Sequence, residues 1–250
     1  MKNIKRFKDL KDKPAEQDTS PQIFQRDKTK EKFDIKELSW TAKQREFIDL
    51  ALNKDTRILL INGPAGSAKT LLSVYCSLRL LNDKRISDIL YLRSAVESAD
   101  KTLGYLPGSE PEKMFYFNLP FFDKLEELLS TGDLQRLQKE ERINTYAINF
   151  CRGLSWNAKA IIIDEALNMS QREIVTALTR LGQFTRCFLL ADTSQTDLNN
   201  GKRGGMEKVF NLLSDDNSKK FGIYTFSFTE DDILRSELVK FLVKKFKELT

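Results

Sequence analysis

The fold class this sequence predicts is α/β, a mostly parallel sheet flanked by helices, and three observations predict it. Short apolar runs bounded by turn residues recur along the chain. Several are apolar without alternation, as strands are when helices cover both faces of a parallel sheet. Amphipathic helical stretches fall between them, and that alternation favours a doubly wound arrangement.

At 250 residues, 40% of them hydrophobic, the chain is long enough for one sizeable domain with an appendage and too short for two full ones. Residues 1–38 read as a flexible basic tail, being rich in Lys and Asp, poor in apolar side chains and broken by Pro14 and Pro21. The first 36 residues hold 11 basic and 7 acidic side chains, so +4 of the chain's +5 lies there. This charge permits nucleic-acid contact without demanding it. Residues 39–250 form the folded domain. Cys76, Cys151 and Cys187 make no CxxC pair, and the chain has no histidine, so neither a zinc site nor a disulfide framework is supported. They read as reduced thiols, and with no apolar leader and no run near 18 apolar residues the expected location is the cytoplasm, without a membrane.

Elements follow in order. Phe47, Ile48, Leu50, Ala51 and Leu52 after Thr41 mark a short amphipathic helix. Candidate strands are Arg57 to Asn62, Asp88 to Arg93, Tyr146 to Phe150, Ala160 to Ile163, Arg186 to Ala191 and Gly222 to Phe228. A helical run spans Leu71 to Leu81. Ser170 with Glu173 forms a capping box ahead of Ile174, Ala177, Leu178 and Leu181, and Gly182 is the expected stop. Leu238, Leu242, Phe246 and Leu249 place one apolar stripe on a C-terminal helix.

Between the first strand and the following helix stands Gly63-Pro64-Ala65-Gly66-Ser67-Ala68-Lys69-Thr70. That setting suits a phosphate-binding loop. Backbone N–H groups and the helix N-terminus concentrate positive potential on phosphates, Lys69 reaches the β/γ oxygens, and the Thr70 hydroxyl holds Mg²⁺. The usual pattern has glycine before the lysine, and this chain has Ala68. The full pattern arises by chance in roughly 1% of chains this long, the relaxed one in roughly 10%. Ala68 is expected to take a helical first-turn conformation, with nucleotide binding retained but weakened.

Ile161-Ile162-Ile163-Asp164-Glu165 puts adjacent carboxylates at a strand end, where Asp164 can order metal and Glu165 can orient or deprotonate water. A third strand ends in Asp192-Thr193-Ser194-Gln195, with an amide at the sheet edge where ligands of open α/β folds gather. Gln44 reads either as an adenine-binding amide or as a surface glutamine, and composition leaves both open. Trp40, Trp156, Tyr105 and Phe115 are base-stacking candidates that sequence alone cannot separate from core aromatics.

These segments, from about Leu38 to Val243, resemble the PhoH-like family, RecA-like P-loop NTPases related to one motor half of superfamily 1 helicases. Beyond the loop, the resemblance rests on Leu92 to Glu97, Leu103 to Gly108, Asp164-Glu165-Ala166, Asp192 to Leu198 and Asp232 to Val239. It implies ATP binding and hydrolysis with ATP and Mg²⁺. Lys69 and Thr70 act on phosphate and metal, Asp164 on Mg²⁺, Glu165 as base, Gln195 as γ-phosphate sensor and Arg235 as sensor or arginine finger. It also implies a homo-oligomer, a hexameric ring, and work on RNA or single-stranded DNA. Two departures stand out: Ala68, and Leu167 where the family usually has Gln. Both leave open a nucleotide-dependent adaptor with little or no hydrolysis. The small, tail-bearing form resembles versions of the domain encoded by bacteriophages.

Overall fold

The computed structural model describes residues 32–93, 110–148, 155–192, 205–233, 241 and 245. The tail up to residue 31, Ser94 to Glu97, Leu103 to Gly108, Cys151, Thr193 to Leu198, Arg235 and the C-terminal apolar stripe lie outside the described residues.

The compact unit that begins at Phe33 is secured at its entry. The Phe33 ring is buried, its N–H donates to Asn82 Oδ1 at 2.9 Å, and Asn82 Nδ2 donates back to the Phe33 carbonyl at 2.9 Å. Helix α1, Ala42–Leu52, starts at Thr41, whose hydroxyl accepts from the Gln44 N–H while Gln44 Oε1 accepts from the Thr41 N–H. That capping box satisfies orphan donors at the helix start. Strand β1, Ile58–Asn62, is followed by helix α2, Lys69–Asn82, and strand β2, Asp88–Arg93. Next come α3, Glu110–Leu128, α4, Thr131–Lys139, and β3, Ile143–Ala147. Strand β4, Lys159–Asp164, leads to α5, Gln171–Leu178, and β5, Arg186–Ala191. Helices α6, Gly205–Leu212, and α7, Asp216–Lys220, precede β6, Ile223–Ser227.

The six strands make one parallel sheet in the order β3-β2-β4-β5-β1-β6. Two apolar layers cover it. Leu59, Ile61, Ile89, Tyr91, Ile162, Phe188 and Leu190 share one cluster with residues of α1, α2, α3 and α4. Leu60, Leu90, Leu92, Ile161, Ile163, Cys187 and Leu189 share the other with residues of α5 and α6. Successive strand residues therefore face opposite sides and both sides are apolar, which is why these runs lack alternation.

Two elements differ from the sequence expectation. Strand β3 runs over Ile143–Ala147 and so begins three residues before the expected Tyr146, because it lies at the sheet edge, pairs Ile143 with Ile89, and leaves Tyr146 exposed; Asn149 and Phe150 of the expected strand lie outside the described residues. An edge strand carries polar residues such as Asn144 and Thr145 and so lacks the apolar run. Helix α5 has the expected capping box at Ser170 but ends at Leu178, a turn short of Gly182. The Gly182 N–H instead donates to the Trp156 carbonyl at 2.7 Å, and a Cβ there would stand 2.0 Å from Asn157 Oδ1. Cys76 and Cys187 are free and buried, and burial alone pushes the Cys187 thiol up to about 12. No helix among the described residues is long and apolar enough to cross a membrane.

Candidate active site

Strand β1 ends under a tight loop that glycine makes feasible. A Cβ at Gly63 would lie 2.8 Å from Phe228 Cβ and 3.0 Å from Ser67 Oγ, so the closeness of that strand end admits no side chain. The Pro64 carbonyl accepts from the Ser67 N–H at 3.2 Å and from Ser67 Oγ at 2.8 Å, which folds the loop back on itself.

Gly66 has φ 91° and Ala68 has φ 62° with ψ 20°. Ala68 therefore occupies the left-handed region at the N-cap of α2, not the helical first turn expected from sequence. The loop must reverse there to bring the Lys69 and Thr70 backbone into the helix. Glycine does this without strain, whereas an L residue with a Cβ gives up about 1–2 kcal/mol.

Lys69 Nζ donates to the Gly63 carbonyl at 2.6 Å and the Pro64 carbonyl at 3.0 Å, so its ammonium lies folded over its own loop. Burial lowers its pKa below the ordinary 10.5, opposed by the charges of Asp192, Asp164 and Glu165. An incoming anion would oppose that lowering through its charge, which favours the protonated ammonium.

Thr70 Oγ1 donates to Asp164 Oδ2 at 3.1 Å, joining the start of α2 to the end of β4. Asp164 accepts twice more, from Tyr91 Oη at 2.9 Å on the same oxygen and from the Glu165 N–H at 2.9 Å on Oδ1. Glu165, at φ 56°, turns the chain sharply off the strand, and its carboxylate pairs with Arg93 at 3.2 Å. Register puts Arg93 opposite Asp164.

A cavity of about 600 Å³ opens over this point, within the size range of small-ligand sites. Its wall includes Ala65, Gly66, Ala68, Lys69 and Thr70 of the loop, Asp164 and Glu165, Arg93, Asp192, Trp40 and Lys124. The structure thus brings together the loop and the acidic pair. Gln44 is fully buried rather than a surface glutamine. Its oxygen is committed to the capping box, its Nε2 has no hydrogen-bond partner, and it does not line the cavity. Gln195 and Arg235 lie outside the described residues. Trp156 is buried in the core, while Trp40 packs at 4.9 Å against Tyr75.

Magnesium fits this donor set. It is a hard cation that takes oxygen ligands and keeps most of its coordination for water and substrate phosphates, so one carboxylate and one hydroxyl suffice. Thr70 Oγ1 and Asp164 Oδ2 supply that pair. Among the described residues no group of three or more His, Cys, Asp or Glu side chains gathers to make an all-protein cage.

Sequence reasoning missed Tyr91, and it quoted Arg93 and Asp192 only within longer motifs, with no role for either. Each lies at or near the C-terminal end of a strand, which was a usable signal, but their convergence depends on a strand order the sequence does not state.

The family described as PhoH-like protein matches residues 37–247. The chain belongs to the PhoH-like family. A PhoH-like protein of Mycobacterium leprae is 30% identical over 210 residues, covering 83% of this chain and 58% of its own length. A PhoH-like protein of Bacillus subtilis is 30% identical over 206 residues, covering 82% of this chain and 62% of its own. The chain thus spans about 60% of the length of these curated relatives. The large terminase of a thermophilic bacteriophage shares the fold, with a TM-score of 0.52 at 12% identity over 83% of this chain and 50% of the terminase chain. This PhoH-like chain thus carries its Gly63 to Thr70 loop between the first strand and the following helix of a parallel α/β sheet.

Proposed function

We propose that this PhoH-like chain binds ATP with magnesium, hydrolyses it, and does so in the cytoplasm on or alongside RNA or single-stranded DNA. The observation that carries the reading is the meeting of Thr70 and Asp164 at 3.1 Å beneath Lys69 and beside Glu165, all on one cavity wall.

The loop N–H groups and Lys69 grip the phosphates, Lys69 leaving the Gly63 and Pro64 carbonyls to do so. Thr70 and Asp164 would hold magnesium, which when bound offsets the charge developing on the phosphate oxygens. Glu165 turns from Arg93 to the attacking water, orients it and takes its proton. Gln44, fully buried and outside the cavity wall, is given no part in holding the base. Gln195 reads the γ-phosphate, and Arg235 acts across the boundary of a homo-oligomer, a ring of six, where its planar guanidinium neutralises charge that Lys69 does not reach.

The Arg93–Glu165 pair favours a second reading. With its base held by that arginine, the chain binds ATP as a nucleotide-dependent adaptor and hardly turns it over.

Phosphate release from ATP, measured with and without single-stranded RNA and DNA, tests the first reading. Stimulation by either supports it, and indifference to both removes the nucleic acid from the proposal. Turnover per chain should fall on dilution; constant turnover from a species that sizes as a monomer refutes the ring.

A further inference from the structure

Tyr91 carries a hydroxyl where the core needs only a ring. The side chain is fully buried on β2 and stacks on Phe121 of α3, with centroids 4.6 Å apart and planes 9° from parallel. Phenylalanine would fill that space and bring no polar atom into an apolar layer, where an unpaired hydroxyl is costly.

The hydroxyl is spent on Asp164, donating to its Oδ2 at 2.9 Å. Register explains how it reaches: Tyr91 lies opposite Ile162, two residues before Asp164 on the same face of the sheet. Thr70 Oγ1 donates to that same oxygen at 3.1 Å. The Asp164 carboxylate is thus held from the front by the phosphate loop and from below by the core.

We infer that Tyr91 is a positioning residue for the metal carboxylate, fixing the Asp164 rotamer through its hydroxyl and tying that rotamer to α3 through Phe121. This rests on the reading of Asp164 as the magnesium ligand. A carboxylate ligand on a strand end can swing, and a hydrogen bond from a buried, stacked phenol removes that freedom before metal arrives. Outer-sphere partners of this kind typically change metal affinity by about 10–100-fold.

The test compares the full-length wild type with Tyr91→Phe, which keeps the stacked ring and removes the hydroxyl alone. Mn²⁺ serves as the probe, its free concentration read by electron paramagnetic resonance in the presence of a non-hydrolysable ATP analogue. Analogue affinity is measured separately in EDTA.

The expected result is Mn²⁺ binding weaker by about 10–100-fold, with analogue affinity in EDTA unchanged. Equal Mn²⁺ affinity in the two proteins overturns the inference. So does a loss of analogue affinity in EDTA as large as the loss of Mn²⁺ affinity, which would mark a structural defect. Should Tyr91→Phe fail to fold, Phe121→Leu carries the test, because it keeps the hydroxyl but removes the ring that aims it. Several-fold weaker Mn²⁺ binding there supports the inference, and unchanged binding overturns it. A wild type that takes up analogue but no Mn²⁺ defeats the inference together with the assignment of Asp164 to the metal, whereas one that takes up neither defeats the nucleotide reading as well.

Discussion

Replacing Ala68 by glycine should stabilise the domain, although the change deletes a methyl group and loosens the unfolded chain. At φ 62° and ψ 20° this alanine sits in the left-handed region, and relieving that conformation returns about 1–2 kcal/mol. Against it stand about 0.4–1 kcal/mol for the greater freedom of glycine when unfolded. The half-buried methyl, at a fraction of the value of a fully buried carbon, subtracts about 0.3 kcal/mol more. The balance is close to 0.5 kcal/mol in favour of glycine, or about 1–2 °C in Tm for a domain of this size. Thermal denaturation followed by circular dichroism, without nucleotide, measures it. Ala65→Gly is the control, since Ala65 is exposed and is not among the positive-φ residues, and its Tm should not rise. If Ala68→Gly melts about 2 °C or more below the wild-type temperature, strain at the N-cap of α2 is refuted.

Three further outcomes follow from the same geometry. Gly222 has φ 76° and a Cβ there would lie 2.1 Å from the Asp55 carbonyl oxygen, so Gly222→Ala should cost about 2–3 kcal/mol in urea unfolding; a loss under about 0.5 kcal/mol would contradict the packing described. Arg93→Ala removes a half-exposed ion pair, and its unfolding free energy should change by less than about 1 kcal/mol, so a larger loss would mean that the pair is structural. The pH dependence of ATP affinity follows from Lys69, whose pKa burial lowers in the free protein and bound phosphate raises again. Affinity is then full below the free-state pKa and declines as pH rises through it, and fluorescence titration should detect the decline below the ordinary lysine value of 10.5; constant affinity up to that pH would contradict the assignment.

The fold was legible where burial is symmetrical. Strands β2 and β5 carry the bounds that their apolar runs predicted, because both faces of each are covered. Edge strand β3 was displaced because half-exposed residues write a weaker pattern. Helices α3 and α4 carried no sequence assignment, and Pro120 inside α3 helps to hide it. In the candidate site, the loop and the acidic pair announce themselves through residue type and spacing. The left-handed Ala68 does not, since backbone conformation at an N-cap depends on how the loop must close. Tyr91 reads as an ordinary strand residue, and Arg93 as part of a motif without a role, until β2 is known to lie beside β4, and that adjacency is a property of the folded sheet. Gln44 shows a similar limit: neither its capping bond with Thr41 nor its complete burial was read from the sequence, and both emerge with the packing of α1.

The central claim is that the loop and the acidic pair act on one triphosphate, and Glu165→Gln tests it most directly when phosphate release and ATP affinity are measured on the same preparation. Wild-type turnover that disappears in the variant, with ATP still bound in the presence of magnesium, is the predicted result. Phosphate release that continues unchanged, or a variant that no longer binds ATP, would contradict the account.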